Sequence, residues 1–267
     1  MAEIIGLIPA AGQALRLGPL PCSKEIFPVG FDDADATGAP RPKVAAHYLL
    51  EQMQCAGAAK ALVILRSGKW DIPAYFGDGS RVGLDMAYLI MRHPYGVPYT
   101  LDQAHPFVRT ATVLVGFPDI ILFPKEVFPA LLENLEASGS DICLALFTAQ
   151  RPEKVDMVQF DSTGAIEAIR IKPASTDLSK TWLAAAWTPT FSDYMHAQVS
   201  RRLEVAETAK ELYLGDVIQA AIEDKVQVSG IFFESGRYLD IGTPEDMRQS
   251  ADFVCNAQAS EGASGRR

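Results

Sequence analysis

Apolar and polar positions alternate along this chain with two periods. Short runs rich in Ile, Val, Leu and Ala at 4–8, 61–65, 84–91, 111–115, 142–147, 182–187 and 226–234 read as strands. Most are apolar at consecutive positions, the pattern of strands covered on both faces. Between them, apolar residues recur at helical spacing: Val44, Tyr48, Leu49 and Met53 within 43–56, and Leu131, Leu132 and Leu135 within 128–137. Further helices are predicted over 70–76, 191–205 and 217–224. Segments 155–160 and 165–171, joined by Asp161-Ser162-Thr163-Gly164, read as a β-hairpin. Residues 31–42, rich in Asp, Gly, Ala and Pro, read as an exposed turn segment. Strand and helix alternate, so the predicted class is α/β: a mostly parallel sheet with helices on both faces.

The sharpest local pattern follows the first strand. Residues 9–24 read PAAGQALRLGPLPCSK. The small residues Ala10, Ala11 and Gly12 let a backbone pass close to a ligand. Arg16 and Lys24 supply cations, with no acid between Ala10 and Lys24. A strand, a small-residue loop and cations together make an anion site, and phosphate is the expected anion. A connecting loop with solvated cations would carry the same residues. A Walker loop is excluded, because Gly12 and Gly18 are one residue too far apart and Pro19 follows. The dinucleotide fingerprint G-x-G-x-x-G is absent. Further on, Asp119 follows a predicted strand, where open α/β sheets bind ligands; a turn Asp capping its own backbone would look alike. Thr243 and Pro244 fit the start of a helix, with Asp246 in its first turn. Those rules leave Asp240 unexplained.

The loop resembles the signature of the sugar-1-phosphate nucleotidyltransferases (NDP-sugar pyrophosphorylases), the family of glucose-1-phosphate thymidylyltransferase. Residues 11–19 and 23–29 follow that signature, with Ala11, Ala14 and Leu15 in place of Gly, Gly and Thr. Later stretches resemble the family in the same order: Gly77-Asp78-Gly79-Ser80, Pro94-Tyr95-Gly96, Asp119, Lys172-Pro173, Glu211 to Asp216, and Tyr238-Leu239-Asp240-Ile241-Gly242-Thr243-Pro244. The resemblance implies a three-layer α/β/α nucleotidyltransferase fold, Rossmann-like and GT-A-like, with a mixed central sheet. It implies one domain over 1–253, before a tail at 254–267 whose composition reads as disordered. The implied reaction joins a nucleoside triphosphate and a sugar-1-phosphate into an NDP-sugar and pyrophosphate, with Mg²⁺. Arg16 and Lys24 would be catalytic, and Ala10, Ala11, Gly12 and Gly96 would bind the nucleotide. Lys172 and Glu211 would bind the sugar phosphate, and Asp119 and Asp240 would hold the metal. Met91 stands where the family uses a Gln to read the base, and Ile171 where an acid contacts sugar hydroxyls. Ala186 replaces a family Gly. Base and sugar are therefore unassigned. The opening Pro9-Ala10-Ala11-Gly12 also looks like the cytidylyltransferase of isoprenoid synthesis. A cytidylyltransferase of a non-sugar alcohol phosphate, and a non-catalytic nucleotide-binding regulatory subunit, remain alternatives; a dinucleotide-dependent oxidoreductase lacks its fingerprint.

Composition sharpens the setting. The 267 residues, 48% hydrophobic, suffice for one large core. A net charge of −9 argues against binding to nucleic acid or anionic membrane, so a polyphosphate must be met by local cations or metal. Cys22, Cys55, Cys143 and Cys255 are scattered without metal-ligand spacing, as expected for reduced thiols in a cytoplasm. His47, His93, His105 and His196 show no zinc pattern. No basic leader precedes the first strand and no run is long enough to span a membrane. A cytoplasmic enzyme is expected, free or as a homo-oligomer.

Overall fold

The computed structural model describes residues 2–32, 40–205 and 210–264. The chain opens with β1 (Ile4–Ala10), and β2 (Pro28–Asp32) pairs antiparallel with β3 (Arg41–Val44). Helix α1 (Ala45–Cys55) leads to β4 (Lys60–Leu65), and α2 (Asp71–Phe76) to β5 (Asp85–Ile90). Short helices α3 (Val97–Asp102) and α4 (His105–Val108) precede β6 (Thr112–Gly116) and β7 (Ile120–Phe123). Then come α5 (Val127–Ser138), β8 (Ile142–Thr148), β9 (Met157–Phe160), β10 (Ile166–Arg170) and β11 (Lys180–Trp187). The chain continues through α6 (Pro189–Glu204), α7 (Leu214–Glu223), β12 (Val228–Phe232), β13 (Arg237–Asp240) and α8 (Pro244–Ser264).

One mixed sheet organises these elements. Its main path runs β10-β9-β11-β6-β1-β4-β5, and β8 joins it through β11 and carries β12. Strands β6, β1, β4 and β5 are mutually parallel; β11 is antiparallel to β6 and β8. Both faces are covered, which explains the consecutive apolar residues. Along β1, Ile5 and Leu7 join a core with α3, α4, α6 and α7, whereas Ile8 and Ala10 join one with α1, α2 and α5. Side chains alternate across a strand, so a two-sided sheet needs apolar residues at every position.

Several expectations change at the edges. The helix read over 43–56 starts at Ala45, because Lys43 and Val44 pair with β2. The expected turn segment 31–42 is strand at both ends, and its middle, 33–39, lies outside the described residues. The tail expected to be disordered from residue 254 is instead helical through Ser264. Val254 and Ala257 are buried there against Val29, Ala45, Tyr48 and Ile241, a tertiary contact that holds an otherwise polar segment in helix. Among the described residues no helix is long and apolar enough to cross a membrane, and all of the cysteines are free.

Candidate active site

The first cavity opens where parallel strands end. Ala11, Gly12 and Gln13 follow β1, Arg66 follows β4, Met91 follows β5 and Phe117 follows β6, and all line a cleft of about 330 Å³. This is the crevice at the carboxyl ends of an open parallel sheet. Ala10 is buried as the last residue of β1, beneath the loop. Gly96 lines the same cleft from the N-terminus of α3 with a φ of 128°, and a Cβ there would meet Leu212 O at 2.0 Å. Only glycine fits that crossing. Ala14 takes a left-handed φ of 53°, where the related signature has Gly.

The cationic end of the loop is pinned from outside. Asp71, at the start of α2, accepts hydrogen bonds from the Ser23 amide (2.6 Å) and hydroxyl (2.8 Å). Burial pushes the Asp71 carboxyl up, but these bonds outweigh it and hold it below its ordinary range. With Ser23 fixed, a short helical turn over Lys24–Ile26 aims Lys24 at Asp119, and the two form an ion pair. Burial works to lower the Lys24 pKa; Asp119, Glu25 and Asp240 together hold it above its ordinary value. Glu25 does not leave the loop anionic, because Lys69 donates to its Oε1 at 2.5 Å in a buried pair.

A second small sheet brings the distant carboxylates together. Strands β13 and β7 pair antiparallel with Asp240 opposite Ile120, and the Ile241 amide donates to Asp119 O at 2.9 Å. Asp119 and Asp240 thereby flank the same opening, near Lys24 and Arg16. Burial raises the Asp240 pKa, the Asp119 carboxylate raises it further, and Lys24 and Arg16 partly oppose this. Among the described residues no group of three or more acidic, His or Cys side chains forms a metal cluster. Two carboxylates suffice for Mg²⁺, a hard cation that takes one or two of them and completes its shell with substrate phosphates and water. The all-oxygen donors and the mutual repulsion of these carboxylates fit such an ion.

A second cavity, of about 250 Å³, adjoins the first and shares Val97, Phe117 and Asp119 with it. Arg16, Lys154, Asp156, Lys172, Thr181, Trp182, Tyr213 and Asp240 also line it. Lys172 has a φ of 39° just after β10, and its Nζ lies 4.0 Å from the centroid of the Tyr213 ring. Burial pushes the Asp156 carboxyl up to about 6; the Lys172 ammonium opposes this, and Asp216 adds to it.

Cationic side chains, two carboxylates and two joined cavities thus stand together. A family model described as nucleotidyl transferase matches residues 5–257. The chain belongs to the nucleotidyl transferase family. It is 27% identical over 252 residues to the low-salt glycan biosynthesis nucleotidyltransferase Agl11 of Haloferax volcanii, covering 93% of this chain and 65% of the relative. It is 25% identical over 261 residues to the glucose-1-phosphate thymidylyltransferase of Neisseria meningitidis, covering 95% and 83%. Among solved structures, a putative glucose-1-phosphate thymidylyltransferase from Bacillus anthracis superposes with a TM-score of 0.79 at 17% identity, covering 94% of this chain and 95% of that one. A UDP-glucose pyrophosphorylase complexed with UDP-glucose gives 0.75 at 15% identity, covering 96% and 99%. These structures bear out the three-layer α/β nucleotidyltransferase fold with its mixed sheet.

Within this nucleotidyl transferase, Ala11, Gly12, Gly96, Lys24 and Asp119 border the first cavity, and Arg16, Lys172, Asp119 and Asp240 the second. Glu211, expected at the sugar phosphate with Lys172, lines the first cavity near Gly96. It still neighbours the Tyr213 hydroxyl, whose pKa burial and Glu211 both raise. Sequence reasoning missed Glu25, Arg66, Phe117, Lys154, Asp156, Thr181 and Trp182, which all line one cavity or the other. For Arg66 and Phe117 a signal existed: Arg66 directly follows the strand predicted over 61–65, and Phe117 lies two residues past the one over 111–115.

Proposed function

We propose that this chain transfers a nucleotidyl group from a nucleoside triphosphate to a sugar-1-phosphate, giving an NDP-sugar and pyrophosphate. The main support is the convergence of Lys24, Asp119 and Asp240 at the seam of two joined cavities. One cavity begins at a small-residue loop suited to a triphosphate, and the other ends at Lys172. The relatives named for glucose-1-phosphate thymidylyl transfer support the same substrate classes.

In this reading a phosphate oxygen of the sugar-1-phosphate attacks the α-phosphorus in line. A new P–O bond forms as the bond to the β-phosphate bridging oxygen breaks, and pyrophosphate leaves. The attacking phosphate is already ionised, so no general base is required. Catalysis is then positioning and charge neutralisation. The loop around Ala11 and Gly12 holds the triphosphate backbone-close. Lys24 and Arg16 neutralise the transferring and departing phosphates, and Lys172 holds the incoming one. Asp119 and Asp240 would hold Mg²⁺, which when bound offsets charge on the phosphate oxygens. Free thiols and a nucleoside triphosphate substrate suit a cytoplasmic setting.

The test is pyrophosphate release with Mg²⁺, crossing the common nucleoside triphosphates with sugar-1-phosphates and alcohol phosphates. Release that requires one triphosphate and one sugar-1-phosphate is expected. Release with CTP and an alcohol phosphate alone, or nucleotide binding without release on any acceptor, would overturn the reading.

A further inference from the structure

The second cavity holds a carboxylate that the reaction described so far does not use. Asp156 stands just before β9, on a wall shared with Lys172, Thr181, Trp182 and Tyr213. Its Oδ1 is buried and accepts no hydrogen bond. The indole Nε1 of Trp182 is also buried and donates none. The indole and the Lys172 backbone amide are both near enough to Asp156 to favour the charged carboxylate, without the geometry of formed bonds. A buried polar atom without a partner is costly, so an acceptor and a donor left open on one cavity wall point to a ligand group that serves both. A hydroxyl is the simplest such group, because it donates one hydrogen bond and accepts others.

The carboxylate is made room for. A Cβ at Gly215 would come 2.4 Å from Ile171 Cδ1 and 2.5 Å from Asp156 Oδ2. Gly215 lies in the first turn of α7 with an ordinary φ, where alanine would favour the helix. Its missing side chain therefore provides space rather than a special backbone angle. Ile171 and Asp156 meet over that space, so the carboxylate lies beside the position directly preceding Lys172. The Lys172 ammonium rests over the Tyr213 ring and makes no ion pair with Asp156, although its charge is felt at the carboxylate. A cation for a phosphate and an acceptor for a hydroxyl thus stand apart in one cavity.

We propose that Asp156 is a specificity-determining residue of the acceptor cavity, accepting a hydrogen bond from a ring hydroxyl of the sugar phosphate whose phosphate Lys172 holds, while Trp182 donates to that hydroxyl. This rests on reading the cavity as a sugar-phosphate site. It makes Asp156, on a different element, the carboxylate that Ile171 does not supply.

Calorimetric titration of the full chain tests it, with glucose-, galactose-, mannose- and N-acetylglucosamine-1-phosphate as probes and inorganic phosphate as the ringless control. At least one sugar phosphate is expected to bind more tightly than phosphate. Asp156→Ala should weaken that binding about tenfold or more and leave phosphate unchanged. The isosteric Asp156→Asn should lose less, and Lys172→Ala should weaken both ligands. Trp182→Phe should lose affinity non-additively with Asp156→Ala. Unchanged sugar-phosphate affinity in Asp156→Ala, an equal loss for phosphate, or a wild type that favours no sugar phosphate overturns the assignment. Pyrophosphate release on the same samples keeps the two readings separate. Wild-type release with an unaltered KM for the sugar phosphate in Asp156→Ala overturns Asp156 alone. Selective loss of binding without any wild-type release overturns the reaction and leaves Asp156 as a ligand-binding residue.

Discussion

At the scale of single residues, Gly12 and Gly96 separate a glycine kept for a ligand from one kept for the fold. A Cβ at Gly96 would collide with Leu212 backbone, whereas one at Gly12 would meet nothing within 4 Å. Gly12→Ala should therefore leave stability within about 0.5 kcal/mol of wild type. In the proposed reaction the same change should weaken nucleoside triphosphate binding, because phosphate oxygens would approach the loop backbone there. Equal melting temperatures with equal nucleotide affinity would remove the loop from the nucleotide site. Asp156 permits a pH test. Burial pushes its folded pKa up to about 6, above the ordinary carboxylate range, so the folded state takes up a proton first as pH falls. The stabilising contribution is full below the unfolded value and is lost as pH rises through the folded one. Asp156→Asn should consequently melt higher than wild type near pH 7.5, by a free energy on the order of 2 kcal/mol. That advantage should shrink towards pH 4.5. A pH-independent difference would mean that burial does not perturb this carboxyl.

At the scale of elements, most strands of the central sheet were legible because burial on both faces leaves them nearly uniformly apolar. Helices α3 and α4 were not, although Pro98 and Pro106 near their starts are helix-opening residues. Both helices are too short for a period to show. The β2–β3 pair was hidden by its turn-rich middle, and the end of α8 by its polar composition. Val254 and Ala257 lie three residues apart on one buried face of α8, a signal too sparse to distinguish from a tail. Helix α2 was predicted, but its task was not: Asp71 reaches 48 residues back to Ser23 and sets the direction of Lys24. Asp71→Ala should cost about 1–3 kcal/mol in stability. It should cost more in function, raising KM for the triphosphate as the loop loosens. A variant with lowered stability but wild-type kinetics would show that the loop holds its shape unaided.

At the scale of the whole molecule, one sheet serves two cores. Trp187 is fully buried at the end of β11, where its indole donates to Ser192 Oγ at 2.9 Å and its ring lies against Phe191. Because β11 bonds to β6, β8 and β9, it joins the two halves of the sheet. Trp187→Ala should cost about 3–5 kcal/mol, and calorimetry should show the loss in one cooperative transition. Two resolved transitions would mean that the two halves of the sheet unfold as separate domains.

What the sequence determined by itself was local: the periodicity that sets strands and helices, the small-residue loop, and the order of motifs resembling a nucleotidyltransferase. Those follow from steric and hydrophobic rules acting within a few residues. The three-dimensional fold alone decided which distant groups meet. Asp119 and Asp240 share an opening because β7 and β13 pair in one register. Glu211 lines the first cavity because residue 212 crosses Gly96. Asp156 came to lie beside Ile171 because Gly215 leaves space for both. Such meetings depend on long-range strand register and helix packing, and no spacing along the chain records them.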